Sequence, residues 1–256
     1  MNSFLSFFKK EWLAQKRSFR LIVLTAVFVF VGVMNPVTAY ITPWLMEALS
    51  ESMSMSGMSI SAVPSGPMES WVQFFKNMPI ALIAFVVLES SLFTREYQSG
   101  TLILTLTKGL SRRKVLFAKA LMLLLLWTAL YWLCFAVSLA GSALLWSEWP
   151  AQHMPFAAMC WYLMGAWVCM LMVLFSAWAD SNILVLAGSG GAVLLSYLLS
   201  ILPKLSRYLP TMLMDGNSLI YGVLEPVDYV PALIVSLLTA LTCVLFALPT
   251  FDKKQL

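Results

Sequence analysis

Several stretches of this chain, each about twenty residues long, carry almost no charge, and nothing constrains the fold more. In "LIVLTAVFVFVGVMNPVTAY", residues 21–40, no side chain ionises. About 20 such residues, rising 1.5 Å each, cross the roughly 30 Å hydrocarbon core of a bilayer. Runs of the same kind occupy residues 72–94, 115–146, 155–178, 183–203 and 230–251. The second is interrupted by Lys76 and Glu89. The expected fold is therefore an all-α polytopic membrane protein with six transmembrane helices, residues 1–256 forming one transmembrane domain. Composition agrees: 61% of residues are hydrophobic and 11% charged, against about a quarter charged in a soluble domain. The first run is read as a spanning helix, not a cleaved leader. Its charged lead-in is long, and no small-residue cleavage site follows.

Lysine and arginine set the orientation. With both termini in the cytoplasm, the inside holds Lys9, Lys10, Lys16, Arg17, Arg20, Arg95, Lys108, Arg112, Arg113, Lys114, Lys119, Lys253 and Lys254. Only Lys76, Lys204 and Arg207 fall outside. Tyr40, Trp44, Trp71, Trp146, Trp149, Tyr208 and Tyr229 are expected at the outer interface as an aromatic belt. The net charge of +4 follows from this topology and does not point to nucleic acid.

Residues 1–20 place Phe4, Phe8 and Trp12 on one helical face, which suits an interfacial helix lying in the headgroup plane. Residues 41–76, with "SESMSMSGMSISAVPSGP", read as a long extracellular loop. Residues 204–229 are half apolar and broken by Pro210, Gly216 and Pro226. They are too short for two spans, and short re-entrant helices in the outer leaflet are expected there.

Chemistry within the chain is poorly provided for. The one histidine, His153, falls in a short loop, and there is no HExxH. "LAGSGGA" around Ser189 resembles a nucleophile elbow only faintly; its glycines fit close helix approach better. No GxxxxGK[ST] is present, so ATP cannot be handled by this chain. Met53, Met55 and Met58 could offer thioethers to a soft metal, but no Cys or His joins them. Cys134, Cys160, Cys169 and Cys243 lie in apolar runs and form no CxxC pair. Glu89, inside the second span, is either a paired carboxylate or a transport or gating residue.

Between the second and third spans lies "TREYQSGTLILTLTKGLSRRKVLFAK". "TLILTLT" alternates as a strand does, yet no partner strand exists in a helical chain. A short helix over residues 95–107 along the membrane face fits better, with Gly109 as its break and Ser111 capping the third span. This segment resembles the signature of ABC-2 type transporter permeases, which runs E-x-x-x-G-T/S-L, a short hydrophobic stretch, then P-x-S-R and basic residues. It is carried here by Glu96, Gly100, Thr101 and Leu102, then Ser111, Arg112 and Lys119. Gly109 stands where the family often has proline.

The resemblance implies a membrane permease subunit that pairs with a second permease, identical or homologous. Two separate ABC ATP-binding subunits would carry ATP and magnesium. Residues 95–114 would form the coupling segment, with Arg95, Glu96, Gly100, Thr101, Leu102, Gly109, Ser111 and Arg112 at or near the ATPase contact. The expected role is export of a lipid, amphipathic peptide or other hydrophobic compound across a bacterial plasma membrane. A membrane sensor or immunity protein that binds a peptide antibiotic without pumping it is the alternative.

Overall fold

The computed structural model describes residues 3–54, 66–92, 94, 100, 110–147 and 151–254. Among them there are helices and turns and no strand. Six helices are long and apolar enough to cross a membrane. In chain order the helices are α1 (Ser3–Lys16), α2 (Phe19–Ser54), α3 (Pro67–Glu89), α4 (Arg112–Leu145) and α5 (Met154–Trp178). Then come α6 (Asn182–Leu199), α7 (Pro203–Ser206), α8 (Gly216–Ile220) and α9 (Val230–Lys253), with 3-10 turns at Pro210–Met214 and Pro226–Tyr229.

The expected loop at 41–76 is largely helical. α2 continues to Ser54 and α3 begins at Pro67. "LMEALSE" consists mostly of good helix formers, and they outweigh the serines that suggested a loop. Met55 and Met58 lie outside the described residues, and Met53 falls in the last turn of α2.

Two prolines sit inside α2, and one of them organises the bundle. Pro36 has no N–H to offer the carbonyl four residues earlier, at Gly32. Ser138 of α4 donates its hydroxyl to that carbonyl at 3.0 Å. The same hydroxyl accepts from Asn35 Nδ2 at 2.9 Å, and Asn77 Nδ2 donates to Asn35 Oδ1 at 2.9 Å. A buried polar seam thus joins α2, α3 and α4, where each unmet hydrogen bond would be expensive. Gly141 lets α4 close on this point, since a Cβ there would meet Pro36 Cγ at 2.6 Å.

α5 is the hub, packed on α4, α6 and α9. Its aromatic neighbours are buried with their polar atoms used. Trp127 Nε1 donates to the Tyr162 carbonyl at 3.0 Å, and Tyr131 Oη to the Ala158 carbonyl at 2.6 Å. Trp161 Nε1 donates to the Met214 carbonyl at 2.9 Å. α6 and α9 are the least covered spans, with Leu194, Leu198, Leu237 and Leu241 exposed.

Residues 203–229 fold as short helices and turns over one end of the bundle. Asp215 caps α8, accepting from Ser218 N at 3.2 Å, and Leu213, Leu219 and Ile220 are fully buried. Two members of the expected aromatic belt are drawn into this core. Trp71 packs on Phe74 and Phe135, and Tyr229 Oη donates to the Asp215 carbonyl at 2.6 Å. Their rings are buried in protein, while Tyr40, Trp44 and Tyr208 stay exposed.

Candidate functional site

At the end of the bundle that carries both termini, α1 lies against α4. Phe4 and Phe8, expected on the side that meets the headgroups, are half-buried against the protein, while Trp12 is exposed. Phe7, Glu11 and Gln15, spaced four apart, are the buried positions, while Leu5, Trp12 and Leu13 are exposed. The reason lies in what faces them. Lys119, two turns inside α4 and 2% exposed, donates to Glu11 Oε2 at 3.3 Å and to the Leu92 carbonyl at 2.9 Å. Gln15 Nε2 donates to Glu89 Oε1 at 2.7 Å.

Glu89 closes the cluster. It is 1% exposed, and its other oxygen, Oε2, has no hydrogen-bond partner among the described residues. The Arg20 and Lys119 charges act on it from nearby. Arg20 Nη1 donates to the Leu88 carbonyl at 3.2 Å and to the Ser91 hydroxyl. One buried group of charges therefore joins α1, the start of α2, the end of α3 and α4. Glu89 thus has a neutral amide on one oxygen and cations only in its vicinity, and both readings, a paired carboxylate and a transport or gating residue, stay open.

The predicted coupling residues divide. Arg95, Glu96, Thr101, Leu102 and Gly109 lie outside the described residues. Gly100 has φ +66, in the left-handed region that glycine enters without strain, and among the described residues nothing stands within 4 Å of the position of a Cβ. Ser111 occupies the N-cap of α4 in extended conformation, but its side chain makes no capping bond. Arg112 turns to the end of α9. Its Nη1 donates to the carbonyls of Phe251 at 3.4 Å, Asp252 at 3.1 Å and Lys254. These are carbonyls that a helix end leaves unpaired. Arg113 Nε pairs with Asp252 Oδ2 at 2.8 Å, and Lys254 Nζ with Asp180 Oδ1 at 2.9 Å. Thr94 Oγ1 donates to Asn182 Oδ1 at 2.8 Å, fastening the far end of that segment's approach to the start of α6.

Farther along the bundle, a groove of about 430 Å³ opens between α3 and α6. Leu82, Ile83, Val86, Val87, Leu186 and Val193 form its walls, which are almost entirely apolar. Tyr197 and Met214 also border a more polar pocket of about 310 Å³ with Ser200, Ser206, Thr211 and Asp215. Ser189, at the groove, gives its hydroxyl to the Val185 carbonyl at 2.7 Å, the bond of a helical serine and not of a nucleophile. Among the described residues no three His, Cys, Asp or Glu side chains come together as metal ligands would.

Sequence reasoning found Glu89 but not Glu11, Gln15, Arg20 or Lys119 as its company. The signal was present: a lysine seven residues inside the helix that Arg112 begins, and a Glu–Gln pair one turn apart on α1. No curated protein matches the chain. A family model described as "ABC-2 family transporter protein" matches residues 5–208, from α1 through α7. That match covers most of the chain, which belongs to the ABC-2 transporter family as a membrane-spanning permease component of an ABC transporter.

Proposed function

We propose that this permease works as an exporter, one of two permease subunits driven by two separate ATP-binding subunits. The second permease would be a copy of this chain or a homologue. ATP and magnesium would reside on the partner ATPases, whose movement would enter through residues 95–114. The membrane would be a bacterial plasma membrane, with both termini in the cytoplasm. The cargo would be a lipid, an amphipathic peptide or another hydrophobic compound.

The observation that carries this reading is the charge cluster of Glu11, Gln15, Glu89 and Lys119. It binds α1 to α3 and α4, the two helices that flank the coupling segment. Force applied to that segment would move these elements together, as a rigid-body switch requires. The apolar groove between α3 and α6 supports a hydrophobic cargo.

Two measurements test it. Glu96→Lys and Arg112→Glu should each reduce recovery of the ATPase in pull-downs about tenfold while leaving membrane insertion intact. Full recovery and full transport in both variants would remove the coupling assignment. Because Arg112 also caps α9, its variant is read beside a thermal unfolding curve. For orientation, cysteines at Ser54 and Ser111 should differ in sealed cells, an impermeant maleimide labelling only the first. A chain that binds a peptide antibiotic, with no ATPase co-purifying and no transport, would be a sensor instead.

A further inference from the structure

α3 carries one exposed stripe, Lys76, Ile80, Ile83 and Val87, at the spacing of a single helix face. Ile83 and Val87 border the apolar groove, and Lys76 lies two turns from Ile83 toward the start of the helix. At helical rise Lys76 is about 13 Å from Pro67 and about 20 Å from Glu89. Lys76 therefore lies in the first half of α3, next to Phe75, on which Gly216 of α8 packs closely. The side chain is exposed and makes no ion pair or hydrogen bond among the described residues. The neighbouring Asn77 faces the polar seam and is already engaged with Asn35. An exposed ammonium on the helix face that leads into an apolar groove is placed to pair with an anionic group.

Building on the transport reading above, we infer that Lys76 selects cargo by charge. It takes the anionic head of an amphiphile whose apolar chain lies along the groove between α3 and α6. Three other kinds of small occupant each leave part of this surface unsatisfied. An apolar compound would fill the groove and leave the ammonium unpaired. A cationic amphiphile would be repelled by it, and a small inorganic anion would leave the groove empty. An anionic lipid-like molecule satisfies both, with its head at Lys76 and its chain running past Ile80 and Ile83 toward Val87.

The test uses the full chain in phosphatidylcholine nanodiscs, with no ATPase added. Fluorescent phosphatidic acid and phosphatidylcholine with the same acyl chains serve as probes. The chain should prefer phosphatidic acid about tenfold. Lys76→Met should erase that preference, Lys76→Arg should keep it, and Ile83→Trp should weaken binding of both probes. Inorganic phosphate should not compete. Equal binding of the two probes, an unchanged preference in Lys76→Met, or displacement by inorganic phosphate would each overturn the assignment. With no ATPase in the assay, the inference can fail while ATP-driven transport stands. Conversely, loss of ATPase association elsewhere would not alter the lipid preference.

Discussion

Replacing Lys119 by methionine should lower stability by about 3–5 kcal/mol, the usual loss when one member of a buried ion pair is removed. Methionine keeps most of the length and packing of the side chain. The loss therefore reports charge and not a cavity. Glu11 would keep a carboxylate that is 7% exposed with one fewer cation nearby, and the Leu92 carbonyl would lose its 2.9 Å donor. Glu89 would lose one of the two cations that act on it. Unfolding in mild detergent, followed by tryptophan fluorescence, measures the effect. Adding Glu11→Gln should recover part of it, since Glu11 would otherwise keep only the half-exposed Lys10, at 3.1 Å, as its cation, and the double-mutant cycle gives the coupling. A Lys119→Met protein that melts with the parent would mean that the pair does not hold α1.

Gly165→Ala should cost about 1–3 kcal/mol by overpacking, with the upper end expected here. A Cβ on Gly165 would overlap the Trp127 indole. That ring is fully buried, and its N–H is fixed on the Tyr162 carbonyl. It also lies edge-on to Phe28 and Phe85, at 6.0 and 5.4 Å between ring centres. With no free side to turn toward, the indole can yield only if α4 and α5 separate. A lower unfolding midpoint, with partial recovery in Gly165→Ala/Trp127→Phe, is the expected result. Wild-type stability for Gly165→Ala would show that the α4–α5 contact is looser than its geometry.

The six spans were legible because each is written locally, as a run without charges. Their ends were less so. Residues after Tyr40 continue α2 through Leu45, Met46 and Glu47, which the flanking serines and methionines disguised as loop. α1 was foreseen as a helix with an apolar side for the headgroup plane, but not the side it turns to the protein. Glu11 and Gln15 turn inward because Lys119 and Glu89 await them. Those partners are 108 and 74 residues away in sequence. No periodicity within α1 could announce them. Pro36 illustrates the same limit: the missing N–H could be read from the sequence, but not that Ser138 would answer it. The resemblance in the segment after α3 led to the family where physical patterning alone had suggested a strand.

α2 has a mechanical consequence of its own. Its 36 residues make a rod about 54 Å long, against about 30 Å of hydrocarbon. One end is fastened beside the charge cluster by Arg20, and the Pro36 seam fixes it again near its middle. Everything past that second fastening behaves as an outrigger. That overhang, residues 37–54, is about 27 Å long, and tilting it by about 10° about the seam would sweep its tip sideways by about 5 Å. With arms of nearly equal length on either side of that seam, a displacement at the basic end would reappear at similar size and in the opposite direction at the other end of the rod.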